Sequence, residues 1–427
     1  MANPIAVRIR EHLADRRDEI KEFLLGLVEA ESPTLDPTSQ AGPQRRLAAR
    51  LEGAGFDVRR VPGRVSGGTL LARPRGRERG RPVQVLLGHS DTVWPLGTIR
   101  EMPPHVSNGR LFGPGAFDMK GGLVQIVFAL EALRALDLAP VVTPVVLVNS
   151  DEEIGSPDSW STIERLARVA DRAFVLEPAL GPTGKLKTAR KGFGQFQVQV
   201  FGRAAHAGLE PEKGASAIVE LSHLIQRLSA LNDPERGVTV NVGTIDGGLR
   251  TNMIAPLSYA SIDVRILHAE DAPLVERAIL TLEPTTPGTR LEVRGGISRL
   301  PLERTRRNRR LWRLAQRAAY DLGLEIDEGI SGGGSDGNIT SLHCATLDGL
   351  GPVGDGAHAA HENVLLESLP ERTALLAVLL LEPALARKRA AVAPVAGSAP
   401  PPDSGVAAGA EGAKGGGLTP PRRPHAS

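Results

Sequence analysis

Short, almost unbroken apolar runs alternate with amphipathic stretches over the first half of the chain. Val83-Gln84-Val85-Leu86-Leu87, Val145-Val146-Leu147-Val148 and Ala173-Phe174-Val175-Leu176 have the length and composition of strands buried on both faces. Between them, Gly121–Leu136 carries Leu123, Val127, Leu130 and Leu133 at helical spacing. Residues 80–185 therefore predict a largely parallel, covered sheet. Ahead of it the pattern predicts one amphipathic helix over Ile5–Ala30, a second helix, and a short strand at Phe56–Val61.

The period then changes. Phe193 to Val200 alternates apolar and polar residues, as a half-buried strand does. A helix is predicted over Ala215–Leu231, with Ala217, Ile218, Leu221, Leu224, Ile225 and Leu228 on one stripe. Strands at Val238–Ile245 and Met253–Ile266, a helix at Ala272–Leu282 and a strand at Leu291–Arg294 complete the order βαββαβ, that of a split-βαβ, ferredoxin-like unit. The expected fold class is α/β: a mostly parallel mixed sheet built from 1–189 and 298–388, interrupted by an inserted α+β lid at 190–297. The first unit resumes with helices at Arg306–Leu322 and Leu365–Leu385. An insertion must return the chain to where it left, so both junctions should lie together and act as a hinge. Residues 389–427, rich in Ala, Pro, Gly and Ser, read as a disordered tail.

Composition narrows the function classes. Aromatics are only 3% of residues, so the core must be built of Leu, Val, Ala and Ile. A formal net charge of +2 argues against a nucleic-acid-coating protein, and the Arg-rich stretch Arg304–Arg310 reads as a solvated helix face. The single cysteine, Cys344, excludes an internal disulfide framework and fits a reducing compartment. The first helix lacks the unbroken apolar core of a signal peptide, and no run of about 18 apolar residues predicts a membrane span. A cytoplasmic location, with neither nucleic acid nor membrane as partner, is expected.

Acidic and imidazole side chains stand at the ends of the apolar runs, where an α/β sheet gathers them at its carboxyl edge. His89 and Asp91 flank Ser90, so alternation puts both on one face, His89 as a metal ligand and Asp91 orienting its ring. Asp118 precedes Gly121-Gly122 and a helix, a position from which a carboxylate can bridge two cations. Asp151-Glu152-Glu153 places three mutually repelling carboxylates after a buried strand, which is costly without cations. Neighbours in sequence point apart, so one Glu can bind metal while the other faces substrate. Glu177 repeats the strand-end placement, and His358 or His361 can supply an imidazole from a Gly/Ala-rich loop, with Glu362 as a supporting partner. Such an oxygen and nitrogen donor set suits hard or borderline divalent ions. Gly332–Gly334 (Gly333 and Gly334 above all) offer bare backbone N–H groups for a carboxylate.

Five segments together resemble the M20 family of metallopeptidases, most closely its glutamate carboxypeptidase branch: Gly88-His89-Ser90-Asp91-Thr92-Val93, Gly113 to Gly122, Asp151 to Ser156, Gly202-Arg203-Ala204-Ala205-His206-Ala207-Gly208, and Gly332 to Asp336. The resemblance covers about 1–388. It implies two zinc ions per subunit, with cobalt or manganese as alternatives. Asp118 would bridge them, His89 and Glu177 would complete one site, and Glu153 and His358 the other. His358 is preferred over His361 because the family's last ligand commonly stands four residues before an acidic residue, here Glu362. Asp91 would brace His89 and Glu152 would be the general base. His206 would reach the active site of a partner subunit and stabilise the oxyanion, so a homodimer through the lid is implied. Asn252 and Arg265 match substrate contacts, and Arg299 resembles an Arg that grips the substrate's free carboxylate. Met119 departs from the family, which often has a second Asp there. The activity implied is hydrolysis of an amide in a peptide or N-acyl conjugate, releasing an amino acid with a free α-carboxylate such as glutamate. The alternative is an N-acyl-amino-acid deacylase acting on substrates like acetylornithine or succinyl-diaminopimelate.

Overall fold

Two sheets of different chemistry organise the protein, whose computed structural model describes residues 3–78 and 80–385. The predicted disordered tail at 389–427 lies outside the described residues.

The larger sheet has six strands in the order Phe56–Val61, Thr69–Pro74, Thr143–Asn149, Val83–His89, Ala170–Val175, Ala345–Leu347. The four from Thr143–Asn149 onward pair in parallel, and the first two join antiparallel. Val83–His89 and Thr143–Asn149 are buried at every residue, as parallel strands covered on both faces must be. Helices Gly121–Ala135 and Ser368–Leu381 pack together on one face with Pro4–Asp15, and Trp160–Val169 covers the other. The sequence pattern gave Gly121–Ala135 one apolar stripe. It is buried on nearly all sides instead, being held between the sheet and four other helices. Its second residue has to be glycine, because a Cβ at Gly122 would stand 1.9 Å from the Leu176 carbonyl oxygen.

The predicted helix Ile5–Ala30 is two helices, Pro4–Asp15 and Arg17–Glu29. Arg16 breaks the run. Its guanidinium lies 4.5 Å from the Phe128 ring centroid and bonds Glu19 and Glu131, an arrangement made by tertiary contacts that helix periodicity does not reveal. The predicted helix Leu365–Leu385 is also shorter, Ser368–Leu381, because Asn363–Leu365 pairs as a strand and Glu382-Pro383 ends the helical backbone.

The second sheet is antiparallel, in the order Thr239–Gly247, Leu257–Ile266, Gly192–Phe201, Arg290–Arg299. Helices Ala217–Ser229 and Ala272–Leu280 complete the βαββαβ order, and the unit has a core of its own around Phe196, Val198, Leu221, Leu224, Ile262 and Val264. Two boundaries differ from the sequence pattern. Met253 pairs with His206 rather than opening the strand that starts at Leu257. The last strand runs on to Arg299, through Gly295 and Gly296, which hid its alternation. Gly295 has φ +126° and sits where a Cβ would strike the Gln195 carbonyl at 2.1 Å. Where the chain enters and leaves this unit, Arg190 and Leu302 exchange backbone hydrogen bonds of 2.9 and 3.1 Å, so the two crossings run side by side. No described helix is long and apolar enough to cross a membrane.

Candidate metal centre

The carboxyl ends of the central strands gather the acidic and imidazole groups. His89 ends its strand with the ring wholly buried. Its Nδ1 lies 3.0 Å from the Asp91 backbone oxygen and 3.4 Å from Asp91 Oδ1. Its Nε2 faces two other carboxylates, Asp118 Oδ1 at 3.3 Å and Glu177 Oε1 at 3.5 Å. Donation by Nδ1–H to Asp91 leaves Nε2 as a ligand atom. Asp91 does more than orient a ring. Its carboxylate accepts from the Thr34 hydroxyl at 2.8 Å and from the backbone N–H groups of Glu152 and Glu153 at 3.4 and 3.2 Å, fixing the turn that carries both glutamates.

Asp118 sits in a turn opened by Gly115 (φ +73°) and closed by the helix Gly121–Ala135; the Asp118–Met119 peptide is cis. Its two oxygens are divided between two histidines. Oδ1 faces His89, while Oδ2 lies 3.5 Å from His358 Nε2, which is also 3.3 Å from Glu153 Oε2. His358 adopts a left-handed backbone (φ +60°), a conformation in which histidine is enriched among non-glycine residues. His361 is not brought to the cluster: it is exposed, with Nε2 3.8 Å from Asp355.

These distances suit bound ions. Ligand atoms of a tetrahedral ion at about 2.0–2.1 Å stand roughly 3.3–3.4 Å apart. The four imidazole–carboxylate contacts, His89 with Asp118 and Glu177 and His358 with Asp118 and Glu153, span 3.3–3.5 Å, and His89, Asp118 and Glu153 also bring ligand atoms within 4.8 Å of one another. Buried Glu153 Oε1 has no hydrogen-bond partner. Burial, reinforced by Glu177, pushes Glu152 well above the ordinary glutamate range, and burial also raises Glu153. Burial opposes protonation of His89, yet Asp118, Asp91 and Glu177 together hold it well above the usual imidazole value. Glu153 raises His358 to about 9 against partial burial. A divalent cation would relieve the carboxylate crowding and take the place of those imidazole protons.

Several supporting residues carried no signal in the sequence. Arg190, buried, lies 3.2 Å from Glu177 and 2.8 Å from Asp348. Lys187 is buried on the same strand, Leu186–Arg190, with burial lowering its ammonium pKa. Nothing local marks Lys187 and Arg190 as interior, because only the fold sets them beside acidic groups. Glu362 supports the site mainly through the Asp118 turn. It accepts from the backbone N–H groups of Gly115, Phe117 and Asp118 at 2.8, 3.0 and 3.0 Å, and from Trp94 Nε1 at 2.9 Å. Glu362→Ala is therefore expected to lower metal affinity about 10–100-fold, read by titration of the apoprotein, since the turn aiming Asp118 loses its anchor. Met119 is buried, and its sulfur accepts the His89 N–H at 3.2 Å. The departure from the family pattern thus trades a charge for a packing contact and removes no ligand.

The residues expected to bind substrate divide into two groups. Arg299 reaches the cluster: Nη2 donates to Ser156 Oγ at 2.8 Å, while Nη1 lies 3.2 Å from Asp336 Oδ1 and 3.9 Å from Glu152 Oε1. It is 97% buried (3% exposed), and Nη1 makes no hydrogen bond. Arg265 instead pairs with Asp263 at 2.8 Å and lies over the Phe193 ring. Gly334 is needed for close packing, since a Cβ would meet Phe193 at 2.4 Å. The carbonyls of Gly333 and Gly334, rather than their N–H groups, are engaged, accepting from Arg190 Nη1. His206 and Asn252 meet on the antiparallel unit, where Ala207 N–H donates to the Asn252 carbonyl at 3.0 Å. His206 is exposed, and its Nδ1 accepts from the Gly208 and Leu209 N–H groups. Among the described residues, neither makes a hydrogen bond or ion pair with the metal-ligand candidates.

The description "Peptidase family M20/M25/M40" matches residues 85–382. Carboxypeptidase G2 from Pseudomonas sp. (strain RS-16) is 30% identical over 86% of this chain and 90% of its own. Succinyl-diaminopimelate desuccinylase from Stenotrophomonas maltophilia (strain K279a) is 29% identical over 79% and 92%. In fold, the chain is similar to the crystal structure of aminopeptidase PepT from Bacillus cereus, with a TM-score of 0.72 at 22% identity, covering 86% of this chain and 98% of that one.

Proposed function

Because this chain belongs to peptidase family M20/M25/M40, whose members include metal-dependent hydrolases of peptide and amide bonds, we propose that it is a two-zinc carboxypeptidase-type amide hydrolase. It releases an amino acid with a free α-carboxylate, glutamate in the first instance, from a peptide or an N-acyl conjugate. The observation that carries this reading is the division of Asp118, one oxygen facing His89 and Glu177, the other the pair His358 and Glu153. His89, Asp118 and Glu177 would hold one ion, and Asp118, Glu153 and His358 the other. Carboxylates and imidazoles in this proportion suit zinc, with cobalt or manganese as substitutes.

When bound, the ions supply an acidified water and a polarised carbonyl. Glu152, raised in pKa, takes the water's proton on its carboxylate and delivers it to the leaving nitrogen. Asp91 keeps His89 and the Glu152 turn in register. Arg299, whose Nη1 faces Asp336 at 3.2 Å but makes no hydrogen bond, attracts the substrate α-carboxylate, assisted by Arg265, Asn252 and the N–H groups of the Gly333–Gly334 loop. His206 presents Nε2–H to the developing oxyanion of a second subunit.

That last role requires a homodimer through the 190–297 lid. Ile218, Val219, Ile245 and Leu249 leave large apolar side chains exposed on that unit, which supports such an interface. Mixing inactive Glu152→Gln and His206→Ala proteins, with subunit exchange, is expected to restore activity. Each mixed dimer then has one site with both Glu152 and His206 intact, and a monomeric or cis arrangement would show no rescue. His358→Ala is expected to lose about one ion per subunit by elemental analysis, whereas His361→Ala keeps both.

The decisive assay is mass-spectrometric product release from a library of acyl-amino acids and dipeptides by metal-reconstituted protein. Preference for N-succinyl-diaminopimelate or N-acetylornithine would move the assignment to a biosynthetic deacylase, the reading favoured by the similarity to the desuccinylase. The lone cysteine, Cys344, is buried and unpaired in a disulfide, which supports a cytoplasmic location.

A further inference from the structure

We infer that Arg190 is a positioning residue that limits Glu177 to one metal-binding oxygen, Oε1, and so keeps a coordination position open on the His89 side of the site; this rests on the metal-dependent hydrolase reading above. A guanidinium carries five N–H donors in a fixed plane. In Arg190 all of them are engaged. Nε donates to Asp348 Oδ2 at 2.8 Å and Nη2 to Asp348 Oδ1 at 3.0 Å, a fork on one carboxylate. Nη1 donates to the Gly333 and Gly334 carbonyls at 3.1 and 3.0 Å. The second N–H of Nη2 is left for Glu177 Oε2, at 3.2 Å. Asp348 is fixed in turn, accepting from the Ser335 hydroxyl at 2.6 Å and from the Gly349 N–H. Arg190 and Asp348 are 2% and 0% exposed, so water does not compete for these contacts. The donor that meets Glu177 is therefore held in place from three other directions.

The two oxygens of Glu177 thus differ. Oε2 is taken by Arg190, while Oε1 faces His89 Nε2 at 3.5 Å. Glu153, its counterpart beside His358, is not restrained in this way. Its Oε2 lies 3.3 Å from His358 Nε2, and its buried Oε1 has no hydrogen-bond partner. A carboxylate can hold a divalent ion by one oxygen or chelate it by two. Chelation fills a position that a catalytic site keeps for water or a substrate oxygen. Arg190 opposes chelation at Glu177, and no donor opposes it at Glu153. The two halves of the site are therefore unequal, and the open half is the one beside His89. A side chain that only braced the fold would strengthen ion binding by its presence. Arg190 instead withholds an oxygen, so its removal should tighten ion binding and slow turnover.

A crystal structure of the zinc-loaded, full-length wild-type protein reads the restraint without any substitution. The expected result is Glu177 Oε1 at about 2.0–2.2 Å from the ion, with Oε2 still on Arg190. Glu177 chelating through both oxygens, or turned away from Arg190, would overturn the inference. The consequence is read in the double variant Arg190→Met/Asp348→Asn. It removes both charges of the buried pair together, since breaking one alone leaves an uncompensated ion. Net charge is unchanged, so a change in affinity reports the freed oxygen. Zinc titration of the apoprotein against a chromophoric chelator should show binding severalfold tighter than wild type. The kcat of the loaded variant should fall at least about tenfold, as Glu177 takes the open position. Affinity and kcat falling together would make Arg190 a brace of the fold and overturn the inference. Zinc bound as inferred with no turnover of any library member would instead remove the hydrolase reading and leave the Glu177 restraint standing. An apoprotein that takes up no zinc would remove both.

Discussion

Glu152→Gln is expected to lower kcat by about 10²–10⁴-fold while leaving metal content at the wild-type value. Glutamine keeps the size of the side chain and cannot accept the water's proton. Glu152 lies within 4.8 Å of His89 and Glu177 through its ligand-capable oxygen, so it could in principle be a ligand itself. The substitution separates the two roles. A base gives dead protein with full metal, whereas a ligand gives dead protein with an ion missing. The neighbouring Arg299, 3.9 Å away, makes the glutamine variant better tolerated than alanine, because an amide oxygen can still face the guanidinium. Elemental analysis beside single-turnover kinetics reads both quantities on one sample.

Asp118→Ala should have the broadest effect of any single change, because one side chain faces both histidines. Loss of its carboxylate removes a contact of 3.3 Å to His89 and one of 3.5 Å to His358, so both ions should bind weakly rather than one. Ligand-linked stabilisation gives a readout independent of activity. Zinc at about a hundred times its dissociation constant adds roughly 2.7 kcal/mol to a protein that binds it only when folded. Wild-type apoprotein should therefore melt several degrees higher on adding zinc, and Asp118→Ala should show almost none of that increment. A variant that still gains the full increment would mean that the site is assembled without Asp118.

Much of this site was legible because it uses strand ends. His89, Asp151 to Glu153 and Glu177 each follow an apolar run, and a parallel sheet brings such positions to one edge whatever the intervening helices do. The βαββαβ unit was legible from its two-residue alternation, except where Gly295 and Gly296 interrupt the final strand. Loop residues were less accessible. Choosing His358 over His361 depended on a family spacing, since both sit in the same Gly/Ala-rich segment and only the folded loop turns one inward. Glu362 could be flagged as a supporting residue, but its real partners are backbone N–H groups some 245 residues earlier in the chain. Lys187 and Arg190 were invisible for a related reason: a buried cation is stabilised by carboxylates that only the fold brings near, among them Asp348, 158 residues from Arg190. The arrangement of Arg265 and the Gly333–Gly334 loop was not legible either: Arg265 pairs with Asp263, and the two glycine carbonyls accept from Arg190.

Arg299 belongs covalently to the strand Arg290–Arg299, but its guanidinium is bonded to Ser156 and lies against Asp336, across a unit boundary and 3.9 Å from Glu152. Any rotation of the antiparallel unit must either stretch those bonds or carry the Ser156 turn with it. Domain posture and the electrostatic setting of Glu152 are thus mechanically geared together within one chain. An opening of the antiparallel unit would carry away the guanidinium that faces Glu152 and so change the charge around that carboxylate.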